Sequence, residues 1–202
     1  MWVTSCPHRP TRKQRLMPRP SHKEKIVESG LAVFHEFGYH ASGVQTVVDH
    51  AGVPKGSFYN HFKSKDELGL AVLDAYWHRT EDVRAILNDT SLNPLERIEA
   101  HLAAFTVTQS GCLVGNFTSE MANEPQFRDA LKTVYDSWIS DVAACIALGQ
   151  KDGSIRDDQP ARTLGEFVVT ALEGSILKRK LEDNKQNVID FRKTILAFLR
   201  AN

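Results

Sequence analysis

Cysteine is scarce: Cys6, Cys112 and Cys145 are the only three in 202 residues. An odd, widely spaced set builds no disulfide framework and points to a reducing cytosol. Long hydrophobic runs are missing too; a stretch such as LAVF at 31–34 is far too short to span a membrane. The opening MWVTSCPHRP lacks the apolar centre of a secretory leader. Glycine (12) and proline (8) are modest and fall mostly between periodic segments. No period-two alternation lasts long enough for a convincing strand.

An excess of one charge is absent overall, since 25 Lys/Arg balance 25 Asp/Glu. The balance hides an asymmetry. Residues 1–65 hold ten Lys/Arg against four acids, a net +6, so residues 66–202 carry −6. A basic N-terminal part on an acidic remainder suits a nucleic-acid-binding head on a separate body.

With 42% hydrophobic residues the chain can build a real core. Residues 1–20 hold four prolines and many basic residues without periodicity, and read as a basic disordered arm. Helical order begins at SHKE, where Ser21 and Glu24 stand in capping-box register. Ile26, Val27, Leu31, Phe34 and Phe37 then keep one face, and Gly38 supplies the stop. Ser42 with Gln45 repeats the signal before Val44, Val47, Val48 and Ala51, a helix closed by Gly52. Ser64 with Glu67 opens a longer helix that passes Trp77. Breaks at NP, SGC, NEP, KDGS, QP and EDN divide the rest into helices over about 94–108, 112–122, 125–150, 160–182 and 186–200. The expected fold is all-α, with roughly nine helices. The expected organisation is a basic arm (1–20), a helical head (21–66) and a helical body (67–202).

The segment GVPKGSFYNHF, 52–62, decides the function class. A helix at 42–51, a two-residue turn and a second helix from Pro54 form a tight helical pair. Pro54 suits the first helical position. Phe58 and Phe62 share one face and can bury against the preceding helices. Gly56, Tyr59 and Asn60 point away from them, with Ser57 and His61 at the flanks and Lys55, Lys63 and Lys65 at the edges. Small residues allow close approach to a major groove, Asn and Ser read base edges, and Lys and Tyr hold phosphates. Lys65, just after the Ser64 cap, is expected to face a phosphate together with the positive helix end.

The stretch GYHASGVQTVVDHAGVPKGSFYNHFKSKDEL, 38–68, closely resembles the DNA-binding signature of TetR-family transcriptional regulators, and the resemblance extends upstream to Ser21. It implies phosphate contacts by Thr46, Lys55, Tyr59, His61 and Lys65, and base readout from Gly56, Ser57 and Asn60. Pro54 departs from the family, which often has a Ser cap there. The resemblance also implies a helical regulatory domain whose last two long helices pair with a second subunit as a four-helix bundle. The apolar rows Leu164, Phe167, Val168, Ala171, Leu172, Ile176 and Val188, Phe191, Ile195, Phe198, Leu199 fit that role. The partners expected are a palindromic double-stranded DNA operator, a second copy of the chain and a small-molecule or electrophile effector. No cofactor, metal or membrane is expected, and the helix from Ser64 is the expected lever between head and body.

For the effector, Cys112 after Ser110-Gly111 is a candidate thiolate in a first helical turn. GCLVGN, 111–116, looks like the corresponding segment of a TetR subgroup that includes regulators of N-ethylmaleimide and acrylate responses, whose electrophile-sensing members switch through a cysteine in this region. Lys178 or Lys180 would be its loose charge partner. The alternative is a conventional pocket walled by Phe105, Phe117, Met121 and Trp138, with His101, Glu120 and Glu173 as polar contacts or plain surface. Cys145 reads as core. Two rivals remain: a sequence-indifferent basic nucleic-acid binder, and an enzyme using Cys112 with His101, for which nothing orients the pair.

Overall fold

The computed structural model describes residues 20–105, 110–182 and 184–201. The basic arm and Cys6 therefore lie outside the described residues. These comprise ten α-helices and one short 3-10 turn. In chain order they are α1 (His22–Phe37), α2 (Val44–Ala51), α3 (Lys55–Tyr59), α4 (Lys65–Arg79), α5 (Glu81–Ala85), the 3-10 turn Ile86–Asn88, α6 (Pro94–Ala104), α7 (Leu113–Met121), α8 (Pro125–Asp152), α9 (Ala161–Arg179) and α10 (Gln186–Leu199). An isolated antiparallel bridge pairs Ile155 with Arg200. Composition gave no hint of α5 and the 3-10 turn, because both are too short to show a period.

Local chemistry explains most boundaries. Ser21 accepts from the Glu24 N–H while the Glu24 carboxylate takes the Ser21 N–H, the expected capping box. Asn93 and Glu96 form a second box at α6. Ser64 accepts from Glu67 N–H, but the Glu67 carboxylate reaches the N–H of Lys63 instead. The box expected at Ser42 does not form: its hydroxyl donates back to Gly38 O at 2.7 Å, and Gly43 caps α2 without a side-chain bond. Pro54 stands one position earlier than expected, as the cap of α3 rather than its first residue.

Helix α1 packs on α2, α3 and α4, which makes a small N-terminal unit around Ile26, Phe34, Val47, Val48, Phe58 and Phe62. Phe37 was expected on this core face, yet it is the last residue of α1 and is 56% exposed. In the remainder α8 lies against α9, with α6 and α10 completing the layer. Each fully buried Leu, Ile or Phe in these cores contributes roughly 1.5–3 kcal/mol. Among the described residues, no helix is long and apolar enough to cross a membrane.

Candidate functional site

Burying Phe58 and Phe62 sets the outer face of α3. Their side chains are 0% and 2% exposed, with ring centroids 5.6 Å apart. Phe62 N–H donates to Phe58 O, so the helical course continues one turn past the helix proper. The opposite side therefore faces solvent: Tyr59 is 59% exposed, and Thr46, Lys55, Gly56, Asn60 and His61 are exposed as well. Ser57 is half-buried and bonds the His22 ring at 3.1 Å, which ties the start of α1 to the face. A Cβ at Gly56 would meet no atom within 4 Å, so internal packing does not require glycine there.

Lys65 behaves differently from the expectation. Its ammonium lies 4.1 Å above the Tyr39 ring, and burial lowers its pKa despite the nearby carboxylates. The Tyr39 hydroxyl in turn donates to Asp66.

Helix α7 joins this unit to the rest of the protein. The His35 ring bonds Gly111 O at 2.9 Å beside the start of α7. At its far end the Glu120 carboxylate accepts the N–H groups of Tyr39 and His40. An ion pair between Arg79 and Glu28 fastens α4 to α1.

On the opposite side of α7 lies a cavity of about 180 Å³, lined by Cys112, Asn116, Tyr135, Glu173, Leu177 and Lys180 among others. Cys112 caps α7 rather than sitting in its first turn, and it is only 8% exposed. Burial, followed by the neighbouring Glu173 charge, pushes its thiol up to about 12, a shift that disfavours the thiolate form expected there. Burial likewise raises the pKa of Tyr76, whose hydroxyl is 3.7 Å from the Cys112 sulfur, and that of Glu173. Lys180 donates to Asn116 Oδ1 at 2.6 Å, whereas Lys178 faces outward and pairs with Glu182.

The four expected pocket walls are not at this cavity. Phe117 stacks on Phe127, and Met121 is buried in the same core. Trp138 packs on Phe105 and donates to His101 Nε2 at 3.2 Å. His101 is thus occupied by Trp138 and Val83 O, and is no base for Cys112. Cys145 is core, 2% exposed, against Pro94 O. Sequence reasoning left Glu173 undecided and missed Tyr76 and Tyr135. The available signal was the spacing 173, 176, 177 and 180, which puts one acid and one base on an otherwise apolar helical face.

A second hollow of about 550 Å³ runs between α9 and α10, with Phe167, Ala171, Phe191, Ile195 and Phe198 along it. Phe167 and Phe198 are 49% and 38% exposed, with ring centroids 5.3 Å apart. Leu164, Val168, Leu172, Ile176, Val188 and Leu199, from the same two expected rows, point inward and are buried.

Comparison with known proteins agrees along both parts of the chain. Residues 26–72 match the family model described as bacterial regulatory proteins, tetR family, and residues 94–195 match the tetracyclin repressor-like, C-terminal domain. The chain is 36% identical over 179 residues to the HTH-type transcriptional repressor DhaR of Mycobacterium sp. (strain GP1), covering 87% of this chain and 90% of DhaR. It is 35% identical over 202 residues to the transcriptional regulator AcuR of Cereibacter sphaeroides, covering 94% and 91%. The crystal structure of a regulatory protein TetR from Rhodobacter sphaeroides superposes with a TM-score of 0.81 at 31% identity, over 87% of this chain and 97% of that one. The reduced form of E. coli NemR shares the fold, with a TM-score of 0.80 at 20% identity over 90% and 98%.

Proposed function

This chain belongs to the tetR family of bacterial regulatory proteins and is a transcriptional regulator, and from that premise we propose that it is a cytoplasmic homodimeric repressor that leaves a palindromic operator when a small molecule occupies its body. The observation that carries the reading is the division of α3 and its flanks. Phe58 and Phe62 are buried, while Tyr59, Asn60 and His61 stand outward beside Lys55 and Thr46.

In this reading Gly56, Ser57 and Asn60 approach base edges, and Thr46, Lys55, Tyr59, His61 and Lys65 hold phosphates. Lys65 leaves the Tyr39 ring to do so. One short helix gives weak affinity, and two-fold symmetry places a second one about 34–36 Å away on successive major grooves. The half-exposed Phe167 and Phe198 support α9 and α10 as the face that meets the second subunit. The repressor sense follows the name of DhaR.

The effector site is the cavity beside Cys112. A buried thiol raised to about 12 favours reversible occupancy over covalent modification by an electrophile. A ligand there touches α7, whose other end holds the Tyr39–His40 backbone, so it can favour a body state in which the heads no longer match the grooves. The test is selection of bound sequences from random DNA by the full chain. A single palindrome should emerge. Retention governed by salt alone, without a motif, would support the sequence-indifferent binder instead.

A further inference from the structure

The cavity beside Cys112 carries opposite chemistry at its two ends. At one end Glu173 enters past Gly115, where a side-chain Cβ would overlap its Oε2. Its other oxygen, Oε1, is buried and accepts no hydrogen bond. A desolvated carboxylate oxygen without a donor is costly, and a ligand N–H or O–H placed against it relieves that cost. Burial also raises the Glu173 pKa, opposed only in part by a hydrogen bond with the Cys112 thiol.

At the other end stands Lys180, seven residues further along the same face of α9. Two helical turns separate the two backbone positions, about 10 Å. The Lys180 ammonium gives one hydrogen bond to Asn116, and no salt bridge joins it to a carboxylate among the described residues. It therefore retains donors for an anion. Ile176, Leu177 and the Tyr135 ring lie among the lining residues. At about 180 Å³ the space is below the roughly 300–1,000 Å³ typical of pockets for drug-sized ligands, so the ligand is small.

We propose that the effector is a short bifunctional molecule of the ω-amino or ω-hydroxy acid class. Its carboxylate is held by Lys180 and its N–H or O–H end donates to Glu173 Oε1. The inference rests on the cavity being the effector site and names the ligand class that site selects. Neither end suffices alone. A simple carboxylate leaves Glu173 Oε1 orphaned, and a simple amine leaves Lys180 without its counter-ion.

The test is calorimetric titration of the full chain with four probes of equal chain length: 4-aminobutyrate, 4-hydroxybutyrate, butyrate and butylamine. At least one bifunctional probe should bind about tenfold or more tighter than both one-ended probes. Lys180→Met should remove that binding, and Glu173→Leu, which has no acceptor, should remove the preference for the bifunctional probe over butyrate, with helical circular dichroism unchanged in both. Butyrate or butylamine binding as tightly as the bifunctional pair overturns the proposal, as does failure of both bifunctional probes to bind. Operator release is measured separately. Binding without release keeps the ligand class and sinks the regulatory reading of the cavity, whereas release by an unrelated compound, with no binding of these probes, does the reverse.

Discussion

The Glu120 carboxylate accepts the backbone N–H of His40 at 2.7 Å. Its second oxygen takes the N–H of Tyr39, and the His40 ring closes back on Glu120 O at 3.1 Å. The last turn of α7 thus completes the hydrogen bonding of the loop between α1 and α2. The start of the same helix faces the cavity through its cap Cys112 and through Gly115 and Asn116. One nine-residue helix therefore touches both the ligand space and the N-terminal unit. The sequence pointed to the helix from Ser64 as the lever; these contacts favour α7 as an additional route.

Glu120→Gln tests that route. An amide offers one acceptor where two N–H groups need one each, and turns its own N–H toward a donor. The loss should cost about 1–3 kcal/mol of docking between α7 and the α1–α2 loop. Hydrogen exchange at the Tyr39 and His40 amides should accelerate, and operator release should need more ligand. Unchanged exchange at both amides would remove Glu120 from the coupling.

On the outer face of α3, phosphate and base contacts separate experimentally. Lys55→Ala should weaken binding to every sequence alike and reduce the slope of log affinity against log salt by about one. Asn60→Ala should instead relax preference at one base position by about 1–3 kcal/mol. Tyr59→Phe should weaken binding without altering preference. A selection experiment at two salt concentrations on all three variants distinguishes these outcomes. An Asn60→Ala variant with an unaltered base preference would end its readout role.

Phe58→Ala addresses the inward side. Truncating a fully buried aromatic costs about 3–5 kcal/mol, because the surrounding side chains close the space only partly. The N-terminal unit is small, so the variant should lose operator binding and show a lowered unfolding midpoint, while the C-terminal helices keep their circular dichroism. Wild-type affinity in this variant would mean that α3 is not held by its phenylalanines.

Much of this was legible because the governing interactions are local. Ser21 with Glu24 and Ser64 with Glu67 are close in sequence, and Phe58 with Phe62 is one turn apart. Where a second partner competes, a single local signal misleads. Ser42 sits in the right register to cap α2, yet its hydroxyl finds Gly38 O first. Phe37 continues the α1 stripe, yet it is the last residue of that helix and stands exposed. The cavity was illegible for the same reason: large aromatics suggest walls, whereas Phe117, Phe105 and Trp138 satisfy one another in the core. The space that remains is left by small residues, Gly111 and Gly115, between α7 and α9.

Phe198→Glu probes the face between α9 and α10. Its ring centroid lies 5.3 Å from that of Phe167, and the Arg156 guanidinium lies 4.4 Å above the same ring. Both phenylalanines are partly solvent-exposed in the single chain, so a charge there is tolerated by the isolated fold. Buried against a second copy it is not, since a carboxylate inside an interface loses its hydration, and the neighbouring Arg156 is already paired with Asp158. Sedimentation should show the wild-type chain at twice the monomer mass and the variant shifted toward the monomer, with operator affinity falling in parallel. A dimeric variant would move the subunit contact elsewhere.

Cys112 supplies the last test, through pH. Its thiol stands at about 12 in the folded chain against an ordinary value of 9.0. Because the folded state holds the proton more tightly, this residue contributes stability below pH 9 that is lost progressively as pH rises toward 12. The same shift governs reactivity. A raised pKa leaves much less thiolate near neutrality than an unfolded chain has, so alkylation by iodoacetamide should be slower by orders of magnitude in the native protein than in denaturant. Its rate should climb with pH well past 9. Mass spectrometry separates Cys112 from Cys145, which is also buried but lies outside the cavity. Rapid modification of Cys112 at pH 7, coupled to operator release and abolished in Cys112→Ser, would instead establish an activated thiol and restore the electrophile-sensing reading.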